Sequence, residues 1–482
     1  MISSSDIKNV FFLGIGGIGM SGLARYFHSR GLRIMGYDRT PSALTREMES
    51  EGMEISYEDS AEWLRGLGIR PTDTLVVRTP AVPDDTAVYV CLREAGFDIH
   101  KRAEVLGLVT REKKALCVAG THGKTTTSTM IAHLLNDPRE DVQSTKGVSA
   151  FLGGVSMNYG TNVLIDKESE YVVVEADEYD RSFHHLRPYI SVVTAVDADH
   201  LDIYGTAEAY RESFAHYTSL ITHALVMKHG IALQPRLQEG VRCYTYDVRS
   251  DEVQRTKELP DFYADNIRVC EGSVVFDFNT PDGVITDISL GVPVWVNIEN
   301  AVAAMAVAWL VDERGSAFAE RLRARMASFK GVLRRFNIHV NTPRVAYIDD
   351  YAHHPQEILT AIDSIRKVYP TRRLIGVFQP HLYTRTRDFA DGFARVLSTL
   401  DECILLPIYP AREEPIAGVS SEMLMERMPD GKAQVVQKSE LTAEIGKRIA
   451  KSSEPVVVLT VGAGDIDRLV PDVTEKCEES AQ

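Results

Sequence analysis

Short apolar runs alternate with amphipathic segments through the first hundred residues of the chain. The runs NVFFLGIGG, LRIMGYD and TLVVRTPAV have the composition of buried strands, and GMSGLARYFHSRG between the first two has that of a helix. Strands that alternate with helices are typical of βαβ units in a mostly parallel sheet. A break between residues 107 and 113 precedes the next expected strand, Ala115 to Val118, so a domain boundary is predicted there.

The pattern changes in the second block. YVVVEADE and YISVVTAVDADH are again buried-type strands, but from Ala264 to Val296 short β-like runs are separated by turns. The segment VVFDFNTPDGVITDISL has a turn-forming Pro-Asp-Gly between alternating halves, which predicts antiparallel strands. An alanine-rich helix is predicted after them, from Ile298 to Asp312.

The last block alternates as the first one does. Strands are predicted at VAYIDD, RLIGVFQP, ECILLPI and PVVVLTVGAG, with helices between them. The polar tail after Val473 is expected to fray, because chain ends without apolar residues are seldom held in place.

Composition and charge narrow the class of protein. The 44% hydrophobic and 25% charged residues are ordinary for a soluble globular chain, and the formal charge of −15 argues against a broad nucleic-acid footprint. The six cysteines show no C-x-x-C spacing, so neither a zinc site nor a disulfide framework is indicated. The first residues lack the basic start and long apolar stretch of a signal peptide, and no run reaches the about 18 apolar residues of a membrane span, so we expect neither feature. We therefore expect a cytoplasmic protein with no membrane or nucleic-acid partner.

The segment LCVAGTHGKTTT resembles a phosphate-binding loop with one glycine missing. In the usual pattern G-x-x-x-x-G-K-[ST] the first glycine would fall on position 118, which is Val, and the nearest one is Gly120. A strand before the loop and a helix after it are nevertheless the context that such a loop requires. Lys124 is expected to reach the terminal phosphates and the Thr125 hydroxyl to bind Mg²⁺. The alternative is a plain strand-to-helix connection.

Acidic side chains end the two strands that follow. Glu175 closes YVVVE, with Asp177 and Glu178 next to it, and His200 ends DADH. A carboxylate and an imidazole at adjacent strand ends could complete a Mg²⁺ site with Thr125, although His is a less usual ligand for Mg²⁺ than oxygen. The alternative is a solvated acidic loop.

A second glycine loop lies at the start of the chain. GIGGIG places Gly14, Gly16 and Gly19 on the pattern G-x-G-x-x-G, and Asp38 closes the next strand. Alone, this predicts a NAD-dependent dehydrogenase. Any diphosphate could use the same helix terminus, however, and a nucleotide sugar here with ATP in the next domain accounts better for both loops.

The sequence therefore predicts an α/β protein of three domains. The first, residues 1–107, is Rossmann-like; the central one, 108–328, is P-loop ATPase-like with added antiparallel strands; the last, 329–482, is again Rossmann-like.

Eight motifs in this order resemble one family, the Mur ligases, and within it the branch that adds L-alanine: GIGGIGMSGLA, GTHGKTTT, EADE, DADH, LRRF, DDYAHHP, FQPHLYTRT and GAGDI. The resemblance covers all three predicted domains and explains the short loop, since G-T-x-G-K-T is this family's form. It implies ATP-dependent ligation of L-alanine to UDP-N-acetylmuramate in cytoplasmic peptidoglycan precursor synthesis. The lactyl carboxylate would attack the γ-phosphate of ATP, and the amine of L-alanine would displace phosphate from the acyl phosphate.

The resemblance also implies roles for single residues of the ATP site. The loop Gly120, Thr121, His122, Gly123, Lys124, Thr125 and Thr126 would hold the phosphates, and Thr125, Glu175 and His200 the Mg²⁺ ion. Asn297 and Asn300 would contact adenine. Arg334 would reach the phosphates from the third domain, and Asp350 would bind the ribose.

The sugar and amino-acid substrates are assigned in the same way. The first domain would bind the UDP moiety through Gly16, Gly17 and Ser21. Tyr351, His353 and Arg385 would form the L-alanine pocket in the third domain. The residues expected to act in catalysis are Lys124, His200, Arg334 and His353.

Three positions depart from the pattern of the family. Val296 stands where His is frequent, Leu382 where some relatives have a basic residue, and Arg78 where a smaller residue is expected. None of them removes a group that the reaction needs.

Three other functions stay open from the residues. They are a recycling ligase that adds a tripeptide to the same sugar, a NAD-binding dehydrogenase or sensor, and a nucleotide-dependent regulator. We expect a monomer or a homodimer.

Overall fold

The structure is a computed structural model that describes residues 7–136, 147–197, 201–249, 259–270, 272–312, 315–411 and 413–481. Its contacts divide the chain into two compact units. The first comprises the described residues of Met1–Tyr263, Asn279–Gly283 and Asn300–Phe318, and the second those of Ala264–Phe278, Val284–Glu299 and Ala319–Gln482.

The first unit begins with a parallel sheet in the order β3-β2-β1-β4-β5. This order and the intervening helices are those of a Rossmann-like domain, as predicted. Its strands and helices are β1 (Asn9–Leu13), α1 (Ile18–Ser29), β2 (Arg33–Tyr37), α2 (Ala43–Ser50), β3 (Glu54–Ser56), α3 (Ala61–Gly66), β4 (Thr74–Arg78), α4 (Ala87–Glu94), β5 (Ile99–Lys101) and α5 (Arg102–Glu112).

A second run of strands in this unit has the order β12-β11-β10-β6-β9-β7-β8. Its pairs are parallel except for β7 with β8, which are antiparallel. The elements are β6 (Lys114–Ala119), α6 (Lys124–Leu135), β7 (Ser149–Ser156), β8 (Thr161–Leu164), β9 (Tyr171–Glu175), β10 (Pro188–Val193), α7 (Leu201–Tyr204), α8 (Ala207–Thr218), β11 (Ala224–Lys228) and β12 (Arg242–Val248).

Both parts of the first unit share one core. The rings of Tyr26 on α1 and Phe151 on β7 pack edge to face with centroids 5.5 Å apart, and both belong to one cluster of buried apolar residues. A 3₁₀ segment, Tyr179–His185, follows β9 and contains two residues with positive φ, Asp180 and Arg181.

Three consecutive strands follow, neighbours in the order β15-β14-β13: β13 (Phe262–Cys270), β14 (Ser273–Thr280) and β15 (Gly283–Ser289). Only two residues join β14 to β15, a length that antiparallel neighbours alone permit. The antiparallel addition is thereby confirmed. The helices α9 (Trp295–Val311) and α10 (Phe318–Ser328) follow.

The second unit also contains a sheet in the order β16-β17-β21-β18-β19-β20, in which only β16 pairs antiparallel. Its elements are β16 (Asn337–Asn341), β17 (Val345–Asp350), α11 (Pro355–Val368), β18 (Arg373–Phe378), α12 (Tyr383–Asp388), α13 (Ala390–Leu397), β19 (Glu402–Leu405), α14 (Ser421–Met425), β20 (Ala433–Val435), α15 (Leu441–Lys451), β21 (Val456–Val461) and α16 (Val470–Ala481).

The α/β class with its Rossmann-like ends and ATPase-like centre is confirmed, whereas the three domain boundaries stay predictions. One expectation is wrong: the tail after Val473 belongs to helix α16, because Val473 and Cys477 are fully buried in the core of the last sheet. Within the described residues, we find no helix with the length and apolar character to span a membrane.

Candidate functional site

The phosphate loop connects β6 to α6 through two glycines with positive φ, Gly120 at 133° and Gly123 at 81°. A Cβ on Gly120 would lie 2.1 Å from the Thr194 hydroxyl oxygen, and one on Gly123 would lie 2.8 Å from the Asn300 amide oxygen. Side chains are therefore excluded at both positions. Val118 is a buried residue inside β6, so the loop needs no glycine there.

Lys124, the first residue of α6, turns back over this loop. Its Nζ donates to the carbonyl oxygens of Gly120 (2.6 Å) and Thr121 (3.4 Å) and to Oε1 of Glu178 (2.8 Å). Glu178 is almost fully buried, and burial raises the pKa of its carboxyl group although the Lys124 charge opposes that shift. The loop thus carries a buried ion pair at the place where phosphate would bind.

The two expected oxygen ligands of Mg²⁺ lie together. The Thr125 hydroxyl donates to Oε1 of Glu175 over 3.1 Å, and the backbone N–H of Gly153 donates to Oε2 over 3.0 Å. This places a carboxylate of β9 beside the N-terminus of α6, where hard oxygen ligands suit Mg²⁺. His200 lies outside the described residues. Within those residues, no three acidic, His or Cys side chains form a metal-binding group.

Two other residues of the loop form hydrogen bonds with segments outside it. The Thr121 hydroxyl lies 2.8 Å from the carbonyl oxygen of Asp197 and 3.0 Å from the hydroxyl of Tyr210. The backbone oxygen of His122 accepts from Thr194, while the imidazole is exposed. Thr126 is half-buried.

The two asparagines of helix α9 are both buried. The amide oxygen of Asn300 accepts from the Thr127 hydroxyl on α6 over 3.2 Å, which places it against the phosphate-loop helix. Asn297 donates from Nδ2 to the carbonyl oxygen of Val292 over 3.2 Å, one turn before it. An adenine contact of either stays a prediction.

In the first sheet, Asp38 is bonded to the glycine loop itself. Its Oδ2 accepts from the backbone N–H of Gly16 over 2.8 Å, and the N–H of Gly17 donates to Gly14. The Ser21 hydroxyl is fully buried and donates to the carbonyl oxygen of Ile18. A diphosphate at this helix terminus would therefore use the amides after Gly17 or displace these contacts.

In the second unit, Arg334 is held from three sides. Its Nε lies 3.3 Å from Oδ2 of Asp349, its Nη2 donates to the carbonyl oxygen of Gly462 over 2.6 Å, and its guanidinium carbon lies 5.3 Å from the Tyr351 ring centroid. Arg334 has a φ of 61°. A non-glycine residue in this strained conformation is typical of functional sites.

Asp350, the expected ribose ligand, is buried at the end of β17. Its carboxylate accepts from the backbone N–H groups of Phe336 (2.9 Å) and Ala352 (2.8 Å), so it shapes the turns on both sides. Burial raises the pKa of its carboxyl group to about 6.

The rings of Tyr351 and His353 are in contact, and the charge of Arg385 acts on the His353 imidazole; their role in an L-alanine pocket stays a prediction. Nδ1 of His353 lies 3.0 Å from the carbonyl oxygen of Tyr351, and burial together with the Arg385 charge lowers the pKa of His353 despite the nearby Glu357. Leu382, three residues before Arg385, immediately precedes helix α12 and has a φ of 68°.

Three residues of these clusters were not assigned from the sequence. Glu178 pairs with Lys124, and Asp349 pairs with Arg334. The His381 ring centroid lies 6.4 Å from that of His353. Their motifs EADE, DDYAHHP and FQPHLYTRT were the available signal, because each contains the residue next to or near an assigned one.

Family models of Mur ligases match most of the chain. The Mur ligase family catalytic domain matches residues 9–114, the Mur ligase middle domain residues 118–308, and the Mur ligase glutamate ligase domain residues 334–464.

A protein of Parabacteroides distasonis named UDP-N-acetylmuramate–L-alanine ligase is 52% identical to this chain, over 98% of this chain and 97% of its own length. Among solved structures, a UDP-N-acetylmuramate–alanine ligase of Thermotoga maritima has a TM-score of 0.74 at 26% identity and covers 98% of this chain and 99% of its own. A murein peptide ligase of Psychrobacter arcticus, at 20% identity and a TM-score of 0.60, covers 97% and 98% and shares the fold. With this identity over nearly its whole length, the chain belongs to the Mur ligase family.

Proposed function

We propose that this chain is an ATP-dependent ligase that forms the amide bond between L-alanine and the lactyl carboxylate of UDP-N-acetylmuramate. The observation that carries the proposal is the 52% identity over 98% of the chain with an L-alanine ligase. The proposed setting is the cytoplasmic synthesis of peptidoglycan precursors. A monomeric or homodimeric state stays a prediction.

A carboxylate does not react with an amine until one of its oxygens becomes a leaving group. In the proposed reaction a lactyl carboxylate oxygen attacks the γ-phosphorus of ATP, ADP leaves, and an acyl phosphate forms. The amine of L-alanine then attacks the carbonyl carbon, and phosphate leaves with that oxygen. Catalysis is therefore mainly positioning and charge neutralisation, for which Lys124 and the N-terminal amides of α6 are suited.

Thr125 and Glu175 fit a magnesium ion, because two oxygen ligands lie 3.1 Å apart beside the phosphate loop. We propose that they hold it with His200. When bound, Mg²⁺ would neutralise part of the phosphate charge.

The amino acid is assigned to the second unit. Arg385 would pair with the carboxylate of L-alanine, as guanidinium groups do. His353 has a lowered pKa and is therefore neutral near pH 7. If its Nδ1 donates to the Tyr351 carbonyl oxygen, its Nε2 can accept the proton that the attacking amine loses. Tyr351 would form a wall of the same pocket, and the roles of Arg334 and Asp350 toward ATP remain part of the proposal.

The test is phosphate release from ATP with Mg²⁺ and UDP-N-acetylmuramate, with L-alanine, glycine, L-serine or the tripeptide added in turn. We expect strong stimulation by L-alanine and an amide product by mass spectrometry. Stimulation by the tripeptide alone would assign the protein to the recycling branch. Phosphate release that no acceptor stimulates would indicate a regulator and refute the substrate assignment.

A further inference from the structure

The Lys124 ammonium makes three hydrogen-bond contacts within the protein. It contacts the Gly120 and Thr121 carbonyl oxygens and Oε1 of Glu178, and its side chain is only 15% exposed. For Lys124 to donate to a phosphate group, one of these three contacts must therefore be exchanged for a contact with the phosphate.

The two carboxylate oxygens of Glu178 differ in their hydrogen bonding. Oε1 accepts from Lys124, whereas Oε2 is buried and has no hydrogen-bond partner among the residues that the structure describes. A buried carboxylate oxygen without a partner is destabilising. Since the side chain is about 2% exposed, water does not compensate for it. Its presence beside a phosphate loop points to a role in that loop.

Two carboxylates lie at the N-terminus of α6. Glu175 contacts Thr125, and Glu178 contacts Lys124, so both lie against the first residues of α6. A triphosphate without a metal brings more negative charge to this place than its magnesium complex does. Coulomb repulsion in a partly buried site therefore disfavours the metal-free form more strongly.

We propose that Glu178 is a positioning residue: it holds the Lys124 ammonium against the phosphate loop and makes the loop select a metal-bound polyphosphate over the metal-free anion. The inference rests on the proposed function in one respect, that ATP is the substrate.

The test compares binding of ATP with Mg²⁺ and of ATP with EDTA by calorimetry, in the wild type and in Glu178→Gln. The substitution keeps the size of the side chain and removes its charge. We expect the preference for Mg·ATP to fall by about tenfold, chiefly because metal-free ATP binds more tightly. We also expect kcat to fall while KM for ATP does not rise, because the ammonium is no longer held in place.

The matched control is Glu170→Gln. Glu170 lies just before β9 and pairs with Lys114 at the surface. Its substitution therefore removes one negative charge without changing a contact of the phosphate loop. Its preference for Mg·ATP should equal that of the wild type.

An unchanged preference in Glu178→Gln, or equal weakening of both forms, would overturn the inference. If that variant does not fold, the wild type decides: equal affinity for inorganic tripolyphosphate with and without Mg²⁺ overturns the inference, and a clear preference for the magnesium form supports it. Wild-type protein that binds Mg·ATP selectively but makes no amide would refute the proposed function and leave the inference standing.

Discussion

Arg334 and Asp349 form an ion pair in which neither side chain is open to solvent. Nε of Arg334 lies 3.3 Å from Oδ2 of Asp349, whose side chain is 1% exposed and whose Oδ1 accepts from the Thr460 hydroxyl over 2.8 Å. The pair connects the LRRF segment to the end of β17. The Arg334 backbone has a positive φ, which is a strained conformation for a residue other than glycine. By holding the Arg334 side chain, the Asp349 carboxylate also stabilises this strained turn.

Asp349→Asn should therefore destabilise the protein and slow catalysis. Removing one member of a buried pair leaves the other charge uncompensated, and we expect the free energy of unfolding to fall by about 2–4 kcal/mol. Urea denaturation measures this change. Asp388→Asn is the control, since Asp388 pairs with Arg387 at half-exposed positions and should matter by less than about 1 kcal/mol. Equal effects of the two substitutions would contradict the role of Asp349.

Gly123→Ala tests the shape of the phosphate loop. An alanine at this position would have to keep a φ of 81°, and its Cβ would lie 2.8 Å from the Asn300 amide oxygen. We expect ATP binding to be lost, together with a destabilisation of more than about 1–2 kcal/mol.

Gly160→Ala is its control, because Gly160 also has positive φ but nothing lies within 4 Å of an added Cβ. Gly160→Ala should be destabilised only by the backbone strain of a positive φ, without a steric clash, and it should bind ATP normally. Calorimetry and thermal unfolding of both variants distinguish the clash from the backbone strain. Normal ATP binding by Gly123→Ala would refute the loop assignment.

Glu175→Gln tests the proposed magnesium ligand. The amide still fits beside Thr125 and Gly153 but has no charge for the metal. We expect kcat to fall about a hundredfold or more and the Mg²⁺ concentration for half-maximal rate to rise. Glu168→Gln, which changes an exposed carboxylate in the preceding loop, should leave both quantities unchanged. A Glu175 variant with normal magnesium dependence would exclude this carboxylate as a ligand.

Asp350 predicts a pH dependence of stability. Its pKa is raised from 3.8 to about 6 in the folded protein, so folding favours the protonated carboxyl group. That contribution is complete below the unfolded pKa and is lost as pH rises through about 6. Asp350→Asn stays neutral, and its stability relative to wild type should increase by about 3 kcal/mol between pH 3.5 and pH 7.5.

The measurement for Asp350 is urea denaturation of both proteins across that pH range. Taking the difference removes the contributions of histidines that titrate in both. A difference that does not change with pH would show that Asp350 has an ordinary pKa.

The sequence predicted the phosphate loop because its signal is local. Gly120, Gly123 and Lys124 follow a buried strand and begin a helix, and each has one physical reason to be there. Glu175 was predicted in the same way, from its place at the end of a strand, and its role as a metal ligand stays a prediction. Helix α16 was missed because most of its residues are polar. The two that anchor it, Val473 and Cys477, are too few to give an apolar pattern in the sequence, and their burial is evident only in the folded structure.

Partners that depend on three-dimensional turns could not be predicted. Glu178 lies three residues beyond the end of β9, and the fold brings its Oε1 within 2.8 Å of Nζ of Lys124, which is 54 residues earlier in the chain. Oδ2 of Asp38 accepts a hydrogen bond from the Gly16 amide, a contact that no spacing rule reveals.

The most direct measurement follows one oxygen atom. UDP-N-acetylmuramate labelled with the heavy oxygen isotope in its lactyl carboxylate is incubated with ATP, Mg²⁺ and L-alanine, and the released phosphate is analysed by mass spectrometry. Activation as an acyl phosphate predicts that one labelled oxygen appears in the phosphate for each amide formed. Amide formation with unlabelled phosphate, or phosphate release without amide, would contradict the account.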